Sequence, residues 1–364
     1  MKLKRVLAAT AAAVVLAAGG YGGFLAHRSR HAVSVAPDGP FPVGRAVHDV
    51  ADRSRTDEFA PVGGVPRVLS LWLWYPAAAP GRTVSAYAPG PWGGLHRFGF
   101  AQTDFTKINT GTYDDVPLAA GTFPLVVLLP GLGFAAPQYA SIAAGLAARG
   151  YLVAGVTPTY SANLSVVSGR PVRATAAGDP SDLDGPRADR MVTVWAADAR
   201  FAADQVGVLL GSHVDRTRVV YTGHSFGGAA ALEACRQDES CAGAADLDGT
   251  PFGPVVTAGL ERPVLLLSSG ADGVDRDASA HTLAAASGGR VRAYTIAGAR
   301  HFDFTDYAAY WLAGPVRRLL PLGDPRTLPI ARDYLAAFLA TVVRGQAWRE
   351  PGVPGVRRTD MLSR

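Results

Sequence analysis

The residue best placed to do chemistry is a serine. Ser225 lies in Gly223-His224-Ser225-Phe226-Gly227, a Gly-x-Ser-x-Gly pattern of the kind that presents a serine hydroxyl on a strained strand-to-helix turn. Arg218-Val219-Val220-Tyr221-Thr222 before it is β-branched and aromatic, and Gly228-Ala229-Ala230-Ala231 after it is small. Gly223 and Gly227 lack the Cβ atoms that would collide where a strand and a helix approach closely. A serine hydroxyl is a poor nucleophile at neutral pH, so it needs a base, an acid to orient that base, and donors for the oxyanion. The implied chemistry is attack on a carbonyl through an acyl-enzyme.

In α/β-hydrolases the partners follow in the order nucleophile, acid, histidine. Of the eight histidines only His281 and His301 come after Ser225. His301 sits in Gly298-Ala299-Arg300-His301-Phe302-Asp303-Phe304, a turn after a strand, where a loop can carry an imidazole over the sheet edge. His281 precedes Leu283-Ala284-Ala285 in a helix-forming stretch, which suits a surface residue. His301 is the expected base. Three carboxylates compete for the acid. Asp246 and Asp248 share parity on one short strand and so are expected on one face, and Asp272 follows the next strand. Spacing leaves all three open. The expected oxyanion donors are the backbone N–H of Phe226 and, in the turn Pro130-Gly131-Leu132-Gly133, that of Leu132.

The elements that must position these residues read as an alternation of strands and helices. Pro124-Leu125-Val126-Val127-Leu128-Leu129 is a continuous apolar run, as in a strand buried on both faces. A helix over 138–149 and a strand over 151–156 complete a βαβ crossover, which implies a mainly parallel sheet with helices on both faces. With the elbow this is the α/β-hydrolase fold. A hairpin is expected at Ser168-Gly169, an amphipathic helix over 190–210, further strands over 242–249, 262–268 and 291–296, and a closing helix over 330–343. Residues 67–76 read as a half-buried early strand, 31–61 as an entry segment outside the core, and 81–120 as an irregular cover over the site. The expected organisation is a leader over 1–31, one hydrolase domain over 32–346, and a polar, flexible tail over 347–364.

The formal net charge of +5 originates in the leader. Residues 1–31 hold five of the 35 basic residues and no acidic one, leaving 30 basic against 30 acidic. The folded part is formally neutral and requires no nucleic-acid partner. The leader is uncharged from Val6 to Ala26 and then reaches His27-Arg28-Ser29-Arg30. Its part from Val6 to Ala18 has the length of a signal-peptide core, with Ala17-Ala18-Gly19 as small residues for cleavage; counted to Ala26 it can span a bilayer. Either reading exports the globular part, secreted or anchored in the cytoplasmic membrane with the catalytic domain outside. In an oxidising compartment Cys235 and Cys241 predict a local disulfide, worth about 2 kcal/mol. The histidines and cysteines show no metal-ligand spacing and no glycine motif cradles a phosphate, so neither metal nor cofactor is expected.

Taken together, Pro130-Gly131-Leu132-Gly133, Gly223-His224-Ser225-Phe226-Gly227-Gly228, Leu247-Asp248-Gly249 and His301-Phe302-Asp303-Phe304 resemble the secreted (plasma-type, group II) platelet-activating factor acetylhydrolases and their bacterial relatives. Gly39-Pro40-Phe41-Pro42-Val43-Gly44 and Trp74-Tyr75-Pro76 are similar to that family's entry motif and first strand. The resemblance implies a metal-free Ser-His-Asp esterase that removes short or oxidised acyl chains from phospholipids. It also implies Asp248 as the acid, 23 residues after Ser225 in a Leu-Asp context, and supports Leu132 and Phe226 as the oxyanion donors. Two other functions compete: a broad-specificity esterase, lipase or polyester hydrolase of the same fold, with Asp272 as the acid, and an inactive hydrolase-fold binding module at the cell envelope. The intact Ser, Asp and His set argues against the last.

Overall fold

The computed structural model describes residues 2–183, 185–270, 277–317 and 319–361. Ten strands pair into one sheet. In chain order they are β1 (Val43–Thr56), β2 (Pro66–Pro76), β3 (Thr112–Asp114), β4 (Phe123–Leu129), β5 (Leu152–Pro158), β6 (Val214–His224), β7 (Cys241–Leu247), β8 (Val264–Ser269), β9 (Val291–Ile296) and β10 (Val356–Thr359). Their order across the sheet is β10-β9-β8-β7-β6-β4-β5-β2-β1-β3. From β5 to β9 every neighbouring pair is parallel. β2 is antiparallel to both β1 and β5, and β10 is antiparallel to β9. This is the α/β-hydrolase fold.

The helices are α1 (Lys2–Arg28), α2 (Ala140–Ala147), α3 (Gly185–Leu210), α4 (Phe226–Gln237), α5 (Ala278–Ala286) and α6 (Thr327–Arg344), with several single turns between them. α3 and α4 cover one face of the sheet, where Trp195, Ala199, Ala229 and Leu232 meet Leu125, Val127 and Tyr221. α2 and α6 cover the other, where Ile142, Leu335 and Phe338 meet Val126, Val220 and Leu265. Apolar side chains leave both faces of β4, which explains its unbroken hydrophobic run. Cys235 and Cys241, at the end of α4 and the start of β7, are joined as a disulfide with Cα atoms 5.2 Å apart.

Three expectations need correction. The stretch read as an entry segment contains β1, which is covered on both faces at Val43–Arg45 and alternates between inward Val50 and Asp52 and outward Asp49, Ala51 and Arg53 further on. β2 is buried on both faces rather than half-buried: Trp72 and Trp74 are covered by the segment after it, Trp92 standing edge-on to Trp72 at 5.4 Å. The tail is not wholly loose, since Val356–Thr359 closes the sheet edge as β10 against β9; its flanking Pro and Gly residues mark the turns around a short edge strand.

The topology sets where a site can form. The chain leaves β4 for β5 on one side, then returns to place β6 on the other side of β4. The loops that follow β4 and β6 therefore diverge and leave a crevice at the carboxyl ends of these two strands. Ser225 follows β6 and the Pro130 turn follows β4.

Candidate active site

Ser225 has φ 56° and ψ −127°, a conformation that costs about 1–3 kcal/mol for a residue with a side chain. Its N–H donates to Leu247 O at 2.9 Å, and its own carbonyl accepts from Gly228 N–H at 2.9 Å. A Cβ on Gly223 would come within 2.2 Å of Gly227 O, and one on Gly227 within 2.2 Å of Pro130 O. Those approaches exclude any other residue at the two positions.

His301 opens a single helical turn, His301–Phe304, after β9. Its Nε2 lies 2.9 Å from Ser225 Oγ and its Nδ1 lies 2.8 Å from Asp248 Oδ2. The second oxygen of Asp248 accepts from Ser269 N–H at 2.6 Å, at the end of β8. Burial pushes the Asp248 carboxyl up, but the hydrogen bond and charge of His301, with the Ser269 N–H, outweigh burial and hold it below its ordinary value. His301 is 28% exposed and the Asp248 side chain 4%. The His301 ring is thus partly open on one side and fixed on the other.

The other candidates lie elsewhere. Asp246 is buried beneath α4, where a Cβ on Gly228 would come within 1.8 Å of its Oδ1. The expected shared face fails because Asp248 lies past the end of β7 with φ 57°, which breaks the strand's alternation. Asp246 Oδ1 instead accepts from Gly249 N–H at 2.9 Å. Burial first, and the charge of Asp248 second, push the Asp246 carboxyl far up. His281, on α5, has Nδ1 3.0 Å from Met361 O, away from Ser225. Asp272 lies outside the described residues.

The turn after β4 lies against Ser225, since a Cβ on Gly131 would be 3.3 Å from Ser225 Cβ. Gly131 N–H donates to Tyr139 Oη at 2.9 Å and Gly133 N–H to Ser161 O at 3.2 Å. Among the described residues the N–H groups of Leu132 and Phe226 meet no acceptor. Two undirected donors beside a serine hydroxyl are what a developing oxyanion requires. Phe134, Phe302 and Tyr307 form an aromatic wall beside them, with ring centroids 5.2 and 5.3 Å from Phe134. Among the described residues no three His, Cys, Asp or Glu side chains are gathered to hold a metal ion.

Two parts of this arrangement escape sequence reasoning. Ser269 acts through its backbone, so its residue type carries no signal. His224 was visible as the second residue of the elbow motif, but its bond to Tyr139 joins positions 85 residues apart.

The family model described as platelet-activating factor acetylhydrolase, isoform II, matches residues 200–316, a span that includes Ser225, Asp248 and His301. The chain also superposes on a ferulic acid esterase from Streptomyces cinnamoneus with a TM-score of 0.79 and 29% sequence identity, covering 90% of this chain and 99% of that one. No curated protein matches the chain. The resemblance read from the scattered motifs is borne out over the matched span, and both likenesses are to ester hydrolases.

Proposed function

We propose that this α/β-hydrolase is a serine esterase in which Ser225 is the nucleophile, His301 the general base and acid, and Asp248 the residue that orients the base and stabilises its positive charge. The observation that carries the reading is the unbroken line from Asp248 through His301 to Ser225, at 2.8 and 2.9 Å. His301 Nε2 takes the proton as Ser225 Oγ attacks the ester carbonyl. The N–H groups of Leu132 and Phe226 stabilise the oxyanion, and Asp248 holds the Nδ1 proton of the imidazolium. As the tetrahedral intermediate collapses, Nε2 returns its proton to the departing alcohol. Water then enters, gives a proton to Nε2 and releases the acid by the same steps reversed.

For the substrate we favour short-acyl or oxidised phospholipids. The first support is the family model over the region that holds the nucleophile and base. The second is the position of an apolar helix relative to the site. Residues 4–28 form one helix apolar and long enough to cross a membrane. Its last turn packs Leu25 on Trp311, Ala313 and Leu322, a cluster that also touches Phe302 and Tyr307 of the aromatic wall. A helix held in the bilayer would keep the site mouth at the lipid surface. We therefore take residues 1–31 as an export signal or membrane anchor, 32–346 as the catalytic domain outside the cytoplasmic membrane, and 347–364 as a tail that contributes β10. The disulfide is consistent with that location.

The second reading is an esterase for simple or aromatic acyl groups, favoured by the likeness to the ferulic acid esterase and by the aromatic cluster of Phe134, Phe302 and Tyr307. Hydrolysis of matched p-nitrophenyl esters, methyl ferulate and short-acyl phosphatidylcholines by the full-length protein in detergent separates the two. Preference for the phospholipid supports the first reading, and preference for the ferulate supports the second. Ser225→Ala should abolish turnover of every substrate with the fold intact, and an active variant refutes the mechanism.

A further inference from the structure

The second residue of the elbow motif is fully buried and makes two hydrogen bonds that the proposed mechanism does not use. His224 Nε2 lies 2.8 Å from the carbonyl oxygen of His301, and His224 Nδ1 lies 2.8 Å from Tyr139 Oη. Tyr139, also fully buried, accepts from Gly131 N–H at 2.9 Å. Phe304 stacks beside the His224 ring at 6.0 Å and 23°. A Cβ on Gly131 would stand 3.0 Å from His224 Nδ1, so glycine is what lets the turn after β4 close on this pair.

The direction of every bond in this line is determined. A carbonyl oxygen can only accept, so His224 Nε2 carries a proton. Burial, and then the nearby His301, push the His224 pKa down to about 3, so the ring is neutral and Nδ1 holds a lone pair. Tyr139 must then donate to Nδ1, which leaves its oxygen to accept from Gly131. The line runs one way: Gly131 N–H to Tyr139 Oη, Tyr139 O–H to His224 Nδ1, His224 Nε2–H to the carbonyl of His301. It joins the loop bearing one oxyanion donor to the loop bearing the base, and it passes through the residue that precedes the nucleophile.

We infer that His224 is a positioning residue which, with Tyr139, sets the spacing between the Leu132 N–H and the His301 imidazole around Ser225. The inference rests on the esterase reading above. Neither side chain is exposed to substrate, so loss of the line acts on the placement of reacting groups and not on substrate affinity. A displacement of the order of 1 Å between reacting groups can cost about 10²-fold in rate.

The test uses the full-length protein in detergent, with p-nitrophenyl butyrate as substrate. His224→Leu, which breaks both bonds, should lower kcat by about 10²-fold with KM within about twofold. Tyr139→Phe removes one oxygen atom and should lower kcat by about tenfold, again at constant KM. His224→Gln keeps an acceptor toward Tyr139 and a donor toward His301, and should recover kcat to within about threefold of the parent. Long-range 1H–15N spectra of the parent, with His224 assigned by its absence in His224→Gln, should give the neutral Nε2–H tautomer from pH 5 to 8. A charged or Nδ1–H ring in the parent overturns the inference, as does a Tyr139→Phe variant with parental kcat or one whose loss lies in KM. If His224→Leu does not fold, Tyr139→Phe and the spectra still decide. A parent with no esterase activity refutes the esterase reading instead, and the tautomer is still read on that protein.

Discussion

Replacing Asp248 with Asn tests the assignment of the acid, because the carboxylate serves two donors and an amide can serve only one. Ser269 N–H donates to one oxygen at 2.6 Å and His301 Nδ1 lies 2.8 Å from the other. If the asparagine oxygen faces Ser269, its NH2 faces His301 Nδ1, which must then accept. The ring proton moves to Nε2, where the proton of Ser225 has to go. Rotating the amide restores the useful tautomer but sets NH2 against the Ser269 N–H in a buried position, at a cost of about 1–3 kcal/mol. That leaves roughly 1–20% of molecules with a competent base. Those molecules also lack the negative charge that steadies the imidazolium. Together the two losses lower kcat by about 10³–10⁴-fold, or about 4–5.5 kcal/mol.

The assay is hydrolysis of p-nitrophenyl butyrate at pH 7.5, with Asp246→Asn and Asp272→Asn measured in parallel. Asp246 lies beneath α4, where a Cβ on Gly228 would meet its carboxylate, and an asparagine there keeps the acceptor for Gly249 N–H, so its kcat should stay within about threefold of the parent. An Asp248→Asn enzyme retaining a tenth or more of parental kcat refutes the reasoning, as does a thousandfold fall in Asp272→Asn; both thresholds are set by the roughly 10³-fold minimum expected above.

Asp306, fully buried, has its carboxyl pushed up to about 7 by burial, although Ser141 and Tyr87 donate to it. The folded state keeps this proton to a higher pH than the unfolded chain, so the stability it contributes is full below about pH 4 and is lost as pH rises through 7, with about 3 kcal/mol of the loss between pH 5 and 8. Urea unfolding at pH 5 and pH 8 should show that loss in the parent and not in Asp306→Asn. Arg67 is buried with Asp57 at 3.0 Å and Asp198 at 2.6 Å. Arg67→Met leaves two buried carboxylates short of their partner and should cost about 3–5 kcal/mol in the same assay.

Much of the fold was legible because it follows from residue types whose reasons are local. The double-faced burial of β4 appears as an unbroken apolar run, and the elbow appears as two glycines, each placed where a Cβ would meet a backbone oxygen at 2.2 Å. The strands nearer the sheet edges were harder to read. β1 carries charged residues on its open face and β10 is four residues long, so each depends on a partner strand that local pattern does not reveal. Burial of β2 likewise depends on Trp92, which arrives from a segment with no period of its own.

The site divides along the same line. Ser225 and His301 are legible because a motif fixes one and chain order leaves few choices for the other. The acid is not, because Asp246 and Asp248 differ by a single backbone angle. With an extended φ at position 248 both carboxylates would face one way, as parity predicts. At φ 57° one turns beneath α4, where burial pushes its carboxyl up, while the other reaches His301, which holds its carboxyl down. Two aspartates two residues apart thereby have carboxyls shifted in opposite directions. Only the tertiary contacts that hold this angle, Asp248 N–H on Leu267 O at 2.9 Å and Ser269 N–H on the carboxylate, decide which residue pairs with His301. Both contacts are made by the backbone of β8, whose side chains could change without altering them. It follows that substitutions of similar size at the fully buried Ser269, such as Ser269→Ala, should be tolerated as long as β8 keeps its register, whereas a proline there, which removes the N–H, should act on kcat in the same direction as Asp248→Asn.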